Sequence, residues 1–170
     1  MEIAILMGGS GSRLKKIIKN RPKSFLHIGN QSIIERQIKE LSKIKKRIFL
    51  LSNTRQTKFN NLLKNKFKKI NLIFLEEDKP LGNGGCLKGL EKYNKKDFLI
   101  ISGDLIFNID FKRFINFHLR KKNHVTLLVH PNDHPSDSDI VQTDKNCKII
   151  KLYQKPHKNE NIGNLCMSGI

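Results

Sequence analysis

The chain has 170 residues, of which 38% are hydrophobic and 28% charged, a balance typical of one globular domain with a packed core rather than of a disordered chain. No apolar run reaches the roughly 20 residues of a membrane span, which argues against a membrane protein. The net charge of +18 has two explanations, a nucleic-acid-binding surface or lysines on solvated faces; with no Trp and no aromatic RNA-binding signature, nucleic acid is the less favoured partner.

Apolar strand-like runs alternate with helical patterns along the chain. The predicted elements are a strand at 2–7, a helix at 32–45, a strand at 47–52, a helix at 55–67, a strand at 70–76, a short helix through Leu87, Leu90 and Tyr93, a strand at 97–102, a helix at 110–121 and a strand at 124–130. Ser32 and Glu35 form a capping box at the start of the first helix. Residues 139–143 and 148–154 predict a hairpin that turns at Asp144-Lys145-Asn146.

Helical spacing predicts which side chains face the core. They are Ile34, Ile38, Leu41 and Ile44 in the first helix, Phe59, Leu62, Leu63 and Phe67 in the second, and Phe111, Phe114, Ile115 and Leu119 in the helix at 110–121. Apolar strands that alternate with helices predict an α/β fold, with a Rossmann-like, doubly wound and mostly parallel sheet covered on both faces. Because no internal repeat or linker is evident, we expect a single domain over residues 1–170.

Cysteine usage and the first residues of the chain indicate a reducing cytoplasm. Cys86, Cys147 and Cys166 share no CxxC spacing, which argues against a disulfide framework and against a zinc ribbon. The stretch EIAILMGGSGSR has no basic residue before its apolar run and no small-residue cleavage site, so we expect no secretory signal.

A glycine-rich loop follows the first predicted strand, in the stretch MGGSGSRLKKIIKNRPKSF at residues 7–25. It is not a Walker A loop, and it does not match G-x-G-x-x-G because Arg13 stands in the last position. The guanidinium of Arg13 suits phosphate oxygens, and Pro22 restricts the backbone just before Lys23. Two interpretations therefore remain, a phosphate-binding loop and a plain strand-to-helix turn. The loops at 8–13, 80–85 and 103–104 are expected to converge beyond the carboxyl ends of the strands.

The chain resembles the sugar-1-phosphate nucleotidylyltransferases. ILMGGSGSRL…RPKSF resembles the family's G-G-x-G-[ST]-R-L…P-K-P signature, and four later segments follow in the family's order. These segments are PLGNGGCL, SGDLIF, YQKPH and NLCMSGI. The medial stretch HPNDHPSDSDIVQTD, with Asp139 where many relatives have glycine, resembles the D-glycero-D-manno-heptose 1-phosphate guanylyltransferase branch.

This resemblance implies the nucleotide-diphospho-sugar transferase fold and a transfer reaction. A nucleoside triphosphate, expected to be GTP, reacts with a sugar 1-phosphate, expected to be D-glycero-D-manno-heptose 1-phosphate, and pyrophosphate leaves. The product serves surface polysaccharide synthesis, including that of lipopolysaccharide. Mannose- or glucose-1-phosphate nucleotidylyltransferase and a catalytically silent nucleotide-binding regulator are the alternatives. A heptose bisphosphate phosphatase is a candidate partner, an oligomer is compatible with the sequence, and no membrane partner is expected.

The resemblance also implies residue roles. The catalytic residues are Arg13, Lys23 and Asp104, and Asp104 holds Mg²⁺ against phosphate oxygens. The nucleotide-binding residues are Gly8, Gly9, Gly11, Arg13, Lys23, Gly82, Asn83 and Gly85. The sugar-phosphate-binding residues are Gln154, Lys155 and Asn164, while Met167 replaces a second Asn of the family pattern.

Three of these assignments have a plain structural alternative. Asp104 is either a metal ligand or a cap of the turn after a strand, and Lys155 is either a phosphate contact or a solvated lysine. The loop with His130, Asp133, His134, Asp137 and Asp139 is a sugar-pocket loop, a surface loop or a metal site, and its spacing fits no helix-borne ligand pair. Cys86 has no base near it in sequence, so we expect a small buried residue there.

The family pattern continues beyond the NLCMSGI segment. In relatives this segment begins a further strand, and a second metal-binding aspartate follows. We therefore expect the chain to be C-terminally incomplete relative to the family, with nucleotide binding retained and turnover lowered.

Overall fold

The computed structural model describes residues 1–8, 21–79, 81–93, 97–157 and 162–170, except for the side chain of Asn83. Two compact units divide the chain, Met1–Ile109 and Asp110–Ile170, and each is described by itself below. A single domain over residues 1–170 stays a prediction. Within the described ranges, no helix combines the length and the apolar character needed to cross a bilayer.

The first unit is built around a parallel sheet. Its elements are β1 (Glu2–Leu6), β2 (His27–Ile28), β3 (Gln31–Ser32), α1 (Ile33–Leu41), β4 (Arg47–Asn53), α2 (Thr57–Lys66), β5 (Asn71–Glu77), α3 (Gly82–Gly85) and β6 (Phe98–Ser102). The central sheet has the order β5–β4–β1–β6, and every neighbouring pair is parallel, while β2 and β3 form a separate antiparallel ribbon. The α/β fold with a mostly parallel sheet is thus confirmed.

Side chains on both faces of the central sheet are buried. Ala4, Phe49 and Leu51 pack with Leu90 of the 3₁₀ helix Cys86–Lys92, which follows α3 directly. By the alternation of strand residues, Ile3, Ile5, Ile48 and Leu50 point to the opposite face, and they are buried as well. Burial on both faces explains why these strands are apolar throughout rather than alternating with polar residues.

Helix α1 begins as predicted and ends early. The Ser32 hydroxyl accepts a hydrogen bond from the Glu35 N–H at 3.4 Å, and the Glu35 carboxylate accepts one from the Ser32 N–H at 3.1 Å. The predicted end at residue 45 is wrong, because the N–H groups of Lys43 and Ile44 bond three residues back, to Glu40 and Leu41, and tighten the chain into a turn. Ile44, predicted to face the core, is exposed.

Two further side chains were wrongly assigned to the core, since Leu62 is 56% exposed and Leu119 is 52% exposed. In α2 the buried stripe runs instead through Leu63 and a polar residue, Asn60, which is 1% exposed. The Asn60 amide donates to the Ser52 hydroxyl at 2.8 Å and to the Glu76 carboxylate at 2.7 Å. These partners satisfy the amide nitrogen, whereas Asn60 Oδ1 is buried without a partner. A pattern of apolar residues alone does not identify such a buried amide.

A buried carboxylate lies at the amino end of β1. Glu2 accepts hydrogen bonds from Arg47 Nη2 at 2.6 Å, from Arg47 Nε at 3.0 Å and from Lys45 Nζ at 2.6 Å. The Arg47 hydrogen bonds, with help from Lys45 and against the opposing effect of burial, lower the pKa of Glu2 from 4.5 to about 2. The ionised carboxylate is therefore part of the folded state.

This pKa shift predicts an acid sensitivity. Because the folded-state pKa of Glu2 lies below the unfolded one, its stabilisation is complete above about pH 4.5 and is lost as pH falls towards about 2. We expect it to contribute about 2 kcal/mol to the free energy of unfolding, allowing for screening of its partly exposed partners. Urea unfolding between pH 2 and pH 7 measures this. Glu2→Gln should reduce the dependence of the unfolding free energy on pH between pH 2 and pH 4.5. Glu91→Gln, at an exposed site, is the control. An equal pH dependence in both variants would contradict the low pKa of Glu2.

The second unit combines one helix with an antiparallel sheet. Its elements are α4 (Phe111–Lys121), β7 (Val129–Pro131), β8 (Ile140–Thr143), β9 (Ile149–Tyr153) and β10 (Leu165–Met167), with the sheet order β7–β10–β8–β9. The Asp110 carboxylate caps α4 by accepting from the Arg113 N–H at 3.0 Å. Ile140, Ile162 and Cys166 form a small buried cluster.

The hairpin prediction is confirmed, and the neighbouring strand prediction is only partly right. Strands β8 and β9 pair antiparallel, and the Asp144 carboxylate accepts from the N–H groups of Asn146 and Lys148, both at 2.8 Å, to close the turn. The predicted strand at 124–130 instead begins at Val129 and pairs antiparallel with β10. Because β10 spans only three residues, β7 can pair with it over only three residues.

Candidate active site

The direction of the chain reverses at β1. From β1 the chain adds β4 and β5 on one side and then returns to place β6 on the other side of β1. In an open parallel sheet, the loops that leave two such strands diverge and create a crevice beyond the carboxyl ends. Gly8 follows β1, and Gly103 with Asp104 follows β6. The topology therefore brings two of the predicted site loops together.

Gly103 is required by close backbone contact. Its N–H donates to the Leu6 carbonyl at 2.8 Å, and a Cβ atom added to it would lie 2.7 Å from that same oxygen. Real Cβ atoms essentially never approach a backbone oxygen this closely. The absence of a side chain thus fixes the turn that presents Asp104.

Gly103→Ala is therefore expected to destabilise the protein and displace Asp104. The clash involves backbone on both sides, so we expect a loss of about 1–3 kcal/mol of unfolding free energy. Urea unfolding measures the loss, and Gly84→Ala is the control, because nothing lies within 4 Å of a Cβ added there. Equal stability of the two variants would show that the turn accommodates a methyl group.

Lys23 and Asp104, two predicted catalytic residues, lie side by side. Lys23 Nζ is 3.5 Å from Asp104 Oδ2, and the two side chains are 31% and 40% exposed. The other oxygen, Oδ1, accepts from the Ser102 hydroxyl at 2.8 Å. A partly exposed ion pair at this distance adds little stability, so it can be broken at little cost when a ligand binds. Lys23 can then contact phosphates, and Asp104 can then contact a cation.

The backbone beside Lys23 is well anchored. Pro22 is extended, with φ −62° and ψ 145°, and Lys23 begins the 3₁₀ turn Lys23–Phe25. The ring of Phe25 packs against that of Phe59, with 4.8 Å between centroids. The Pro-Lys pair thus leads directly into the core, which limits the positions open to the lysine.

The donor set around Asp104 fits a hard divalent cation that also binds phosphate. Magnesium in nucleotide sites is commonly held by one or two carboxylates, with substrate phosphate oxygens and water completing its shell. Asp104 provides one half-exposed carboxylate. Among the described residues there is no group of three or more His, Cys, Asp or Glu side chains that could hold a metal by itself.

The predicted nucleotide loop follows β5 and is connected to it by Glu77. Glu77 Oε2 accepts from the Leu81 N–H at 3.2 Å, and Oε1 lies 3.3 Å from the position of a Cβ added to Gly8. Glu77 therefore lies between the two predicted nucleotide loops. We did not single it out from the sequence; the signal was an acidic pair, Glu76-Glu77, that closes an otherwise apolar strand.

Two glycines of this loop are required for different structural reasons. Gly82 adopts φ +73°, which side-chain-bearing residues rarely do. A Cβ on Gly85 would lie 2.8 Å from the Leu81 Cβ. Gly9, Gly11 and Arg13 lie outside the described residues, as does the Asn83 side chain.

Cys86, directly after this loop, is a packing residue. Its thiol is half-buried against the cluster that contains Phe49 and Leu90. Burial, together with the charge of Glu77, raises the pKa of the Cys86 thiol. A raised pKa opposes nucleophilic chemistry. The sequence predicted a small buried residue at this position, and Cys86 is only partly buried.

The predicted sugar-phosphate residues lie in the second unit. The Lys155 N–H donates to the Asp139 carboxylate at 3.1 Å, and Lys155 Nζ donates to the Asp137 carbonyl at 2.9 Å. His157 Nε2 donates to the Ser138 carbonyl at 3.1 Å. These bonds connect the loop around residues 132–139 to the segment around residue 155, so Lys155 is not simply solvated.

The remaining residues of this region are exposed. The side chains of Gln154, Asn164 and Met167 face solvent, and the Asn164 carbonyl accepts from the Asn132 N–H at 2.9 Å. The His and Asp side chains of the loop that contains His130 and Asp139, all within the described ranges, form no group of three that could hold a metal ion, so the structure gives the metal-site interpretation no support. Two of its polar side chains bond to backbone: His130 Nδ1 donates to the Pro131 carbonyl at 2.8 Å, and the Asp139 carboxylate accepts from the Lys155 N–H.

Comparisons with known proteins agree with this geometry. The profile of a family described as nucleotidyl transferase matches residues 3–170. The bifunctional protein GlmU of Methanococcus vannielii is 31% identical over 94% of this chain and 36% of its own length. Mannose-1-phosphate guanyltransferase of Aspergillus oryzae is 32% identical over 100% of this chain and 48% of its own length.

The fold has a solved counterpart. The crystal structure of HddC from Yersinia pseudotuberculosis superposes with a TM-score of 0.80 at 25% identity, over 99% of this chain and 74% of that one. The chain thus spans less than half the length of the two curated relatives above. The match over nearly every residue, together with the crevice between β1 and β6, shows that this chain belongs to the nucleotidyl transferase family.

Proposed function

We propose that this chain carries out nucleotidyl transfer from a nucleoside triphosphate to a sugar 1-phosphate. The observation that carries the proposal is the Lys23–Asp104 pair, 3.5 Å apart beyond β1 and β6, in a chain of the nucleotidyl transferase family. A lysine and a carboxylate at this edge supply the two things a triphosphate needs, a cationic side chain and an oxygen ligand for its cation.

The reaction needs positioning and charge neutralisation rather than a general base. A phosphate monoester has a second pKa of about 6, so the sugar phosphate arrives largely ionised. One of its oxygens forms a bond to the α-phosphorus while the bond from that phosphorus to the bridging oxygen breaks, and pyrophosphate carries away the electron pair. Lys23 and, by resemblance, Arg13 neutralise phosphate charge during this step.

Asp104 would hold the divalent cation, for which we propose Mg²⁺. When bound, the cation lowers the charge repulsion between the phosphates and the incoming nucleophile. The Ser102 hydroxyl orients this carboxylate by donating a hydrogen bond to Oδ1, and the other oxygen, Oδ2, faces Lys23. By resemblance, Gly8, Gly9 and Gly11 are proposed to give the triphosphate access to backbone N–H groups. Gly82, Asn83 and Gly85 are likewise proposed to line the base and ribose pocket.

We propose GTP and D-glycero-D-manno-heptose 1-phosphate as the substrates, for surface polysaccharide synthesis. The similarity to a guanyltransferase supports the base, and the medial stretch around Asp139 supports the sugar. Gln154, Lys155 and Asn164 are proposed to contact the sugar phosphate. A heptose bisphosphate phosphatase partner, an oligomer and a cytoplasmic location belong to the same proposal.

Mannose 1-phosphate is the second candidate substrate, because the Aspergillus oryzae relative is a mannose-1-phosphate guanyltransferase. Pyrophosphate release across a panel of GTP, UTP, dTTP and CTP against heptose, mannose and glucose 1-phosphates separates the candidates. We expect the highest rate with GTP and heptose 1-phosphate. Nucleotide binding without any turnover would favour a silent regulator, and the absence of both would overturn the proposal.

A further inference from the structure

We infer that Gln37 is a positioning residue for Asp104, an inference that rests on the nucleotidyl transfer proposed above. Gln37 lies on the buried face of α1 and is 2% exposed. The other buried residues of that helix are Ile33, Ile34, Ile38 and Leu41. Its amide oxygen, Oε1, is buried without a hydrogen-bond partner, so only the amide nitrogen is satisfied. A buried polar group costs free energy unless it is hydrogen-bonded, so the partners of that nitrogen indicate what Gln37 does.

Its partners are the two carbonyls on either side of the Asp104 turn. Gln37 Nε2 donates to the Ser102 carbonyl at 3.0 Å and to the Leu105 carbonyl at 2.7 Å. The hydrogen bond within the turn itself, from the Leu105 N–H to the Ser102 carbonyl, is long at 3.4 Å. One side chain from α1 therefore joins both ends of a turn that is weakly closed by its own backbone.

The turn is held from the other side by β1. The Gly103 N–H donates to the Leu6 carbonyl at 2.8 Å, and the Ser102 hydroxyl donates to Asp104 Oδ1 at 2.8 Å. With Gln37 in place, the backbone of residues 102–105 is fixed between a strand and a helix. Without the Gln37 hydrogen bonds, the carbonyls of Ser102 and Leu105 can move, and the Asp104 carboxylate between them moves as well. A shift of about 1 Å at a positioned group can lower a rate about 100-fold.

Gln37→Met tests the role, because methionine has similar length and is apolar, so it fills the buried site without the two donors. Asn60→Leu is the matched control. It also removes a buried amide with two hydrogen bonds, but its partners are Ser52 and Glu76 rather than the turn. We expect both variants to lose stability, whereas Gln37→Met alone speeds amide hydrogen exchange at residues 102–105 more than tenfold.

The same variants are compared in pyrophosphate release. Gln37→Met is expected to raise the Mg²⁺ concentration for half-maximal rate about tenfold and to lower kcat about 100-fold, with the KM for sugar phosphate unchanged. Gln37→Leu, which is smaller and also lacks the donor nitrogen, should repeat these effects if Gln37→Met does not fold.

The outcomes separate this inference from the proposed function. Equal local exchange and equal Mg²⁺ dependence in the Gln37 and Asn60 variants would overturn the positioning role. A wild-type protein that neither binds GTP nor releases pyrophosphate would overturn the proposed function. In that case the exchange of residues 102–105 still decides whether Gln37 holds the turn.

Discussion

Asp104→Asn is expected to lower the rate of pyrophosphate release about 10³-fold while the protein stays folded. The amide keeps an oxygen that accepts from the Ser102 hydroxyl, so the turn at residues 102–105 retains its contacts. What is lost is the negative charge at Oδ2, which faces Lys23 at 3.5 Å. Steady-state rates over a Mg²⁺ series measure the effect. Binding of GTP should weaken on addition of EDTA in the wild type and should not respond in the variant.

The matched control for this variant is Glu40→Gln. Glu40 also forms an ion pair, with Lys43 at 2.6 Å, and its side chain is similarly exposed. Removal of that charge breaks a comparable surface pair away from the crevice. A loss of rate in Glu40→Gln equal to that in Asp104→Asn would mean that Asp104 acts only through surface charge, and the metal assignment would be lost.

Lys23→Met should lower kcat/KM for the triphosphate about 100-fold, because the ammonium group that neutralises phosphate charge is removed. The effect on the free energy of unfolding should be small, since the ion pair with Asp104 is partly exposed. Nucleotide titration by calorimetry and thermal unfolding of the same sample separate the two quantities.

Lys43→Met serves as the control for Lys23→Met, because it removes the lysine of the Glu40 pair. We expect it to leave nucleotide affinity within about twofold of the wild type at moderate salt. Wild-type affinity and activity in Lys23→Met would refute the phosphate-loop assignment. Arg13→Ala provides a second test of that loop, and the resemblance predicts a similar loss.

Much of the fold was predictable because local patterns and tertiary packing agree. Continuous apolar runs indicated the parallel strands, and the Ser32–Glu35 capping box placed the start of α1. The crevice was also predictable, since a parallel sheet brings the loops after β1 and β6 together. The resemblance assigned Lys23 and Asp104 to the same reaction, but nothing in the sequence predicted that the two side chains lie 3.5 Å apart.

The missed features depend on partners that are distant in the sequence. Gln37 and Asn60 interrupt apolar helix faces, and only their carbonyl, hydroxyl and carboxylate partners explain their burial. The predicted strand at 124–130 was too long at its start, since the length of β7 depends on a neighbour 36 residues further along the chain, counted from His130 to its partner Cys166. Glu77 was missed because its role depends on the N–H of Leu81 in the following loop.

The buried Glu2 carboxylate also fixes the register of β1. A slip of β1 by one residue would draw Glu2 away from Arg47. It would also exchange the small Ala4 with the larger Ile3 and Ile5 between two packed faces. Both consequences are costly, so β1 has one strongly preferred alignment with β4. The distance along the strand from Glu2 to Gly8 is then set, and the charged anchor at one edge of the sheet determines where the glycine loop leaves at the other. An inserted residue within β1 would therefore misplace the loop even if the sheet still formed.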